Sequence, residues 1–156
     1  MPPSLLFGAL GLALAFAPRR AWAPSLVATG MTVSALALVP IPRSWLEYAF
    51  LACWISVATT AAMVHLPQGT GFTGAIALSV NAGVWATAVV KLAGAPVDLF
   101  EALPWVLLFL PASWMVTKYG TVAPQVLSSW VIAVAVLAGA LQLLPVIPGY
   151  MPDHIE

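Results

Sequence analysis

Six continuous apolar stretches, separated by short breaks, constrain the fold of this chain more than any other feature. They run approximately Pro3–Ala17, Trp22–Val39, Trp45–Leu66, Phe72–Leu92, Leu99–Val116 and Pro124–Val146. A helix that crosses the hydrocarbon core of a bilayer needs about 20 apolar residues, so the first and fifth stretches are marginal and the third, fourth and sixth are comfortable. The pattern predicts an all-α, polytopic transmembrane bundle of six short spans, with residues 1–156 forming a single domain.

The scarcity of charge supports a membrane location. Only 6% of the 156 residues are charged, whereas a soluble domain carries about 25%. Lipid must therefore solvate most of the surface, and the bilayer is the first predicted partner. The apolar stretches lack the in/out alternation of a membrane β-barrel. Zero net charge and the lack of a basic run argue against nucleic acid as a partner.

The breaks between stretches are short and contain Pro or Gly, so successive helices are expected to run antiparallel. Six spans then place Arg19, Arg20 and Lys118 at one membrane face and Arg43 and Lys91 at the other. Basic residues in short loops favour the cytoplasm. We therefore expect both termini on the non-cytoplasmic side, and the short loops are typical of a multi-pass protein of the bacterial inner membrane.

Small residues recur every four positions in the fourth stretch, which places them on one helical face. They are Gly71, Ala75, Ser79, Gly83 and Thr87. Such stripes let membrane helices approach closely, and this one predicts that the fourth helix is central. A shorter stripe in the third stretch contains Ala49, Cys53 and Val57. Packing within the chain is the simpler interpretation, and self-association or contact with another subunit is the alternative.

Two sequence patterns resemble helix capping boxes. Ser44-x-x-Glu47 opens the third stretch and Asp98-x-x-Glu101 opens the fifth. In a capping box, one side-chain oxygen accepts from a free backbone amide and the second side chain reaches back to the cap. Carboxylates also suit the positive end of the helix dipole. We interpret these residues as caps, in preference to proton or ion carriers.

Two polar residues inside the predicted spans, Asn81 and Lys91, are candidates for a polar site or an interface. Asn81 lies in the middle of the fourth stretch, where a bond to a neighbouring helix is the ordinary role. Lys91 lies one turn from the end of that stretch, from which its ammonium can reach the interface and pair with Asp98 or Glu101. The rival interpretation is contact between Lys91 and an anionic substrate.

The remaining reactive side chains do not form a catalytic pattern. His65 and His154 are predicted at opposite faces, and Cys53 lies within an apolar stretch. The terminal Asp153-His154-x-Glu156 offers three ligand types but lacks the fourth protein ligand of a structural zinc site. We predict no catalytic residues and no metal site, and the sequence does not indicate a cofactor.

These observations favour a non-catalytic integral membrane subunit that packs against, stabilises or positions a larger membrane assembly. The scarcity of buried charge and the small-residue stripes motivate this hypothesis. The alternative is a small-solute transporter or channel that acts as a homo-oligomer. Asn81, Lys91 and a possible break in the fifth helix at Pro104 and Pro111 motivate that alternative.

Overall fold

The computed structural model describes residues 2–144, and this part of the chain is helical without strands. The α-helices are α1 Pro2–Ala15, α2 Trp22–Leu38, α3 Leu46–Ala62, α4 Phe72–Ala93, α5 Pro96–Ala102, α6 Phe109–Tyr119 and α7 Val122–Leu143. Single 3₁₀ turns precede α2 at Arg19–Ala21 and α3 at Arg43–Trp45, and another follows α3 at Met63–His65. A longer 3₁₀ segment, Leu103–Leu108, joins α5 to α6. The predicted all-α membrane bundle is confirmed.

Five helical stretches within residues 2–144 are long and apolar enough to cross a bilayer. They are Arg19–Leu38, Arg43–His65, Phe72–Ala93, Pro96–Tyr119 and Val122–Leu143. The first predicted span corresponds to α1, an apolar helix of only 14 residues. At a rise of 1.5 Å per residue, α1 is about 21 Å long, which is shorter than the hydrocarbon core of about 30 Å.

The most enclosed helix is α1, although the small-residue stripe predicted a central position for α4, which packs against α1, α2 and α3. Leu6, Phe7, Leu10 and Leu14 of α1 are fully buried, because α3, α4, α6, α7 and the 3₁₀ segment Leu103–Leu108 surround it. About half of α4 is buried, and the rest faces outwards. The stripe on α4 correctly signals a packed face, but uniform apolarity, rather than a stripe, marks the helix that is covered on nearly all sides.

The short length of α1 places its last turn inside the protein, where backbone amides just after the helix donate to the carbonyls of Ala13 and Leu14. Two side chains donate to the same carbonyls. The hydroxyl of Thr70 donates to the carbonyl of Ala13 at 2.9 Å, and the indole Nε1 of Trp22 donates to the carbonyl of Leu14 at 3.0 Å. The α3–α4 loop and the start of α2 therefore close the carboxyl end of α1.

The fifth span is broken where it crosses α1. Pro104 lies at the start of the 3₁₀ segment Leu103–Leu108, and a proline removes a helical hydrogen-bond donor. The carbonyl oxygens of Val106 and Trp105 approach Gly11, at 2.7 and 3.1 Å from where a Cβ atom would lie. Only glycine allows this approach of two backbones. The break in the fifth span therefore lies where this span packs closely against α1.

Candidate functional site

The most extensive contact between two helices lies between α2 and α4. Gly83 of α4 packs on α2, where a Cβ atom would lie 3.0 Å from the Cβ atom of Thr32 and 3.2 Å from the carbonyl oxygen of Thr29. The hydroxyl of Thr29 donates to the carbonyl of Ser25 at 3.0 Å and approaches the carbonyl of Ser79 at 3.4 Å. Small side chains thus bring the two helices together, as stripes of this kind do in membranes.

The predicted packing stripe of α4 is buried along most of its length. Ala75, Ser79, Gly83 and Thr87 are all buried. The exception is Gly71, which is exposed and precedes α4 as its N-cap. Its φ of +66° belongs to the left-handed region, which glycine adopts without strain. Gly71 therefore turns the chain into α4 and is not part of the packed face.

The shorter stripe on α3 is also buried and contacts other helices. Ala49, Cys53 and Val57 are almost fully covered, and α3 packs against α1, α4 and α7. The hydroxyl of Ser128 on α7 donates to the carbonyl of Ala61 near the end of α3 at 2.5 Å. Cys53 is a free and buried thiol that fills space in this face.

Asn81 links α4 to α3. Its side-chain amide donates a short hydrogen bond to the hydroxyl of Ser56. Ser56 is 3% exposed and Asn81 is partly buried, so the bond lies between the helices and away from the ends. The sequence placed Ser56 beside the Ala49–Cys53–Val57 stripe but did not identify it as the partner of Asn81.

Lys91 closes the carboxyl end of α2. Its ammonium donates to the backbone carbonyls of Leu36, Ala37 and Val39 at 3.2, 2.8 and 2.6 Å. A cation at this position complements both the free carbonyls and the negative end of the helix dipole. The predicted pairing of Lys91 with Asp98 or Glu101 is wrong, because the end of α2 supplies three nearer acceptors.

The predicted capping box at Ser44 and Glu47 is not formed. Pro42 adopts an extended conformation and starts a 3₁₀ turn, Arg43–Trp45, so Ser44 lies inside the first turn and not at its cap. No side-chain hydrogen bond caps either this turn or α3. Glu47 lies in the first turn of α3, where its charge complements the helix dipole.

The second predicted box is shifted by three residues. Helix α5 begins at Pro96, whose fixed φ suits the first helical position, and Ala95 is the N-cap. Asp98 is the third helical residue, and its carboxylate accepts a hydrogen bond from the backbone amide of Ala95 at 2.8 Å. Asp98 therefore reaches back to the cap instead of being the cap. Glu101 lies one turn further along α5, outside this contact.

Two of the openings in the outer surface lie between helices and differ in polarity. A groove of about 390 Å³ lies between α6 and α7, and residues of α1 such as Ser4 and Gly8 form its floor. A crevice of about 570 Å³ lies between α2, α4 and the segment that contains α5. The groove has an almost entirely apolar lining, whereas Thr87 and Lys91 contribute polar groups to the crevice.

Several hydroxyl-bearing residues that sequence reasoning passed over prove to be buried between helices. They are Ser25, Thr29, Thr70 and Ser128. A signal was present for α2, where Ser25, Thr29 and Val33 recur every four residues and form its buried face. Thr70 carries no such periodicity, because it lies in a loop.

Of the two histidines, only His65 lies within the described residues. The ring of His65, at the end of α3, lies 3.4 Å from the hydroxyl of Ser129. Within residues 2–144, no three His, Cys, Asp or Glu side chains converge on a common point. The cluster Asp153-His154-x-Glu156 lies outside the described residues.

The fold and these contacts define a multi-pass helical membrane protein in which the two predicted polar candidates, Asn81 and Lys91, both bond to neighbouring helices. Comparison of the chain with known protein families, with curated proteins and with solved structures finds no match.

Proposed function

We propose that this protein is a non-catalytic membrane subunit that packs against a larger membrane assembly. The main support for this proposal is the groove between α6 and α7. Helices α6 and α7 make less contact with each other than α3 and α7 do. The gap between α6 and α7 leaves α1 accessible from the bilayer at Ser4 and Gly8. A transmembrane helix of another subunit is the occupant that the groove fits best.

The lining of the groove supports a helix as the occupant. Its floor includes the small residues Ser4, Gly8 and Ala9 beside Leu5 and Leu12, and small residues permit close approach of a second helix. Trp105 and Trp130 line its sides and are more than half exposed. Tryptophan is over-represented among the residues that contribute most to protein interfaces.

The hydrogen bonds of the polar side chains favour a structural role over transport. Asn81 bonds to Ser56, and Lys91 bonds to three carbonyls of α2. The hydroxyls of Thr32 and Ser79 donate to carbonyls of their own helices. These groups are committed to holding the bundle together, which leaves few free donors and acceptors for a hydrated solute.

Site-specific photo-crosslinking in the native host membrane tests the proposal. A photoreactive residue at Leu127, in the groove, should crosslink to one distinct membrane polypeptide, and one at Val136, exposed on the same helix outside the groove, should not. Gly8→Leu, which adds bulk to the groove floor, should abolish the crosslink from Leu127. Crosslinks only to lipid or to a second copy of the chain would contradict the proposal.

We infer that the basic end of the bundle faces the cytoplasm of a bacterial inner membrane. The alternating helices place Arg19, Arg20 and Lys118 at one end. The opposite end has Arg43 and Lys91 together with the carboxylates of Glu47, Asp98 and Glu101. Basic residues in short loops determine orientation, so the start of α1 and the end of α7 would lie on the non-cytoplasmic side.

Cysteine labelling tests this orientation, because the native thiol of Cys53 is buried. In a Cys53→Ala background, a membrane-impermeant thiol reagent applied to intact cells should label Pro40→Cys and leave Thr121→Cys unlabelled. The reverse pattern would overturn the orientation and leave the proposed subunit role untouched.

The alternative, a homo-oligomeric transporter or channel for a small solute, has one observation in its favour. The fifth span is broken at Leu103–Leu108, and broken helices often form binding sites in transporters. However, two carbonyls of this break lie against Gly11, so they are occupied by packing on α1. Flux into liposomes that Asn81→Leu and Lys91→Ala both reduce would favour this alternative, and unchanged flux would remove these residues from any pathway.

A further inference from the structure

The crevice between α2, α4 and the α5 segment combines a charged mouth with an apolar interior. Its lining includes Gly30, Ser34, Thr87, Lys91, Leu99 and Phe100. The volume of about 570 Å³ falls within the range of roughly 300–1,000 Å³ that is typical of ligand sites. Gly30 is exposed, and a Cβ atom added to it would meet no atom within 4 Å. The crevice is therefore open at this point.

Thr87 gives the crevice an unpaired polar group. Its side chain is 1% exposed, and its hydroxyl has no hydrogen-bond partner within residues 2–144. Ser79, two turns earlier on the same helix face, instead donates to the carbonyl of Ala75 at 2.8 Å. A buried hydroxyl without an acceptor is costly, so an acceptor on a bound molecule would offset this cost.

Lys91 gives the mouth of the crevice a positive charge. Its three bonds go to backbone carbonyls, which carry only partial negative charge. The nearest acidic side chains in sequence, Asp98 and Glu101, line a different cavity beside the start of α1. An anionic group at the mouth would therefore be attracted by the charge of the ammonium, whose N–H donors stay on the carbonyls, without a competing carboxylate in the lining.

The order of these groups along the membrane normal matches one class of molecule. Lys91 lies near the end of α4, and Thr87 lies one turn, or about 6 Å, deeper in the bilayer. Gly30, Leu99 and Leu103 provide an apolar wall beside them. A glycerophospholipid presents a phosphate at the interface, ester carbonyls a few ångströms deeper, and acyl chains below them.

We propose that this crevice binds a glycerophospholipid, with its phosphate against Lys91, an ester carbonyl accepting from Thr87, and an acyl chain passing over Gly30. The bound lipid fills the space between α2 and α5. This proposal is independent of the partner helix in the α6–α7 groove, because the two openings share no lining residue.

Lipid binding to the detergent-purified full chain tests the proposal. Native mass spectrometry and thermal denaturation would be measured with dioleoylphosphatidylglycerol, with dioleoylglycerol, which lacks the phosphate, and with glycerol phosphate, which lacks the chains. Only the complete phospholipid should bind stoichiometrically and raise the denaturation midpoint. Equal binding of dioleoylglycerol, or binding of glycerol phosphate alone, would overturn the proposal.

Three variants separate lipid binding from folding. Thr87→Val removes a hydroxyl that bonds to nothing in the described chain, so the lipid-free midpoint should not fall, while lipid affinity should drop about fivefold to tenfold. Gly30→Leu should displace the chain and lower affinity more than tenfold. Ala35→Leu, exposed on α2 outside the lining, should bind as the unaltered protein does.

Two results would contradict the assignment. Undiminished lipid binding by both Thr87→Val and Gly30→Leu would remove the crevice as the site. A second copy of the chain or another polypeptide found crosslinked at Gly30 would show that protein, and not lipid, covers it.

Discussion

Helices α1 and α2 are both apolar, but they bury opposite kinds of surface. Helix α1 is enclosed by other helices, and its buried residues are almost all hydrophobic. Helix α2 lies at the periphery, buries Ser25, Thr29 and Val33, and exposes large apolar side chains such as Met31 and Leu38. In a bilayer, lipid accepts the apolar face, so polar and small residues can mark the protein-facing side. Hydropathy alone therefore does not identify the core of a membrane protein.

The largest effect is expected where α1 meets the broken span. Gly11→Ala places a methyl group against the carbonyl of Val106. We expect a loss of about 3 kcal/mol in stability, because backbone atoms on both sides must move. The neighbouring Gly8→Ala is the matched control, since its Cβ atom would meet only Leu108 at 3.7 Å, and it should be neutral or slightly stabilising. Thermal denaturation in mild detergent measures both, and equal midpoints would show that the enclosure of α1 is looser than described.

The next largest effect is expected at the carboxyl end of α1, where a side chain donates a hydrogen bond to a buried carbonyl. Thr70→Val keeps the shape of the side chain and removes one of two donors to the carbonyl of Ala13, which keeps its bond from the backbone amide of Phe16. We expect a loss of about 1 kcal/mol, the net contribution of one hydrogen bond. Thr73→Val, at an exposed position in the first turn of α4, is the control. A similar small change in both variants would mean that the carboxyl end of α1 does not depend on this bond.

A smaller effect is expected between α3 and α4. Asn81→Leu removes the hydrogen bond to Ser56, and such bonds between membrane helices average about 0.6 kcal/mol. A double-mutant cycle with Ser56→Ala isolates this contribution from the change in packing. A coupling energy of zero in unfolding measurements would show that the contact does not stabilise the bundle.

The smallest effect is expected on the buried face of α2. The hydroxyl of Ser25 is buried without a partner within the described residues, so Ser25→Ala should change stability by less than about 0.5 kcal/mol or increase it slightly. Ser25→Leu, in contrast, should separate α2 from its neighbours and destabilise the protein clearly. If Ser25→Ala proves as damaging as Ser25→Leu, polarity and not size determines how α2 packs.

The sequence predicted the helical bundle well, because lipid allows few alternatives to a helix for a long apolar stretch. It also located most of the packed face of α4, because Ala75, Ser79 and Gly83 follow a helical period. The placement of α1 could not be predicted in this way. Its apolar residues have no periodic pattern that distinguishes a face towards protein from a face towards lipid.

The candidate site was predicted less well than the fold. Asn81 and Lys91 were recognised as unusual, but their partners, Ser56 and the carbonyls at the end of α2, depend on which helices become neighbours. The capping boxes failed because Pro42 and Pro96 start their helices earlier than the acidic motifs suggested. Local motifs describe a helix end, whereas the contacts of Lys91 and Thr70 join residues far apart in sequence.

The enclosure of α1 has a consequence for biosynthesis. A ribosome makes α1 before the other described helices, yet the nearest neighbours of Gly11 belong to Leu103–Leu108, which follows more than 90 residues later. Until that segment emerges, this face of the short helix has no protein to cover it. Nascent chains arrested before α5 should therefore hold α1 loosely, and an insertion factor or a chaperone that shields it would act during this interval.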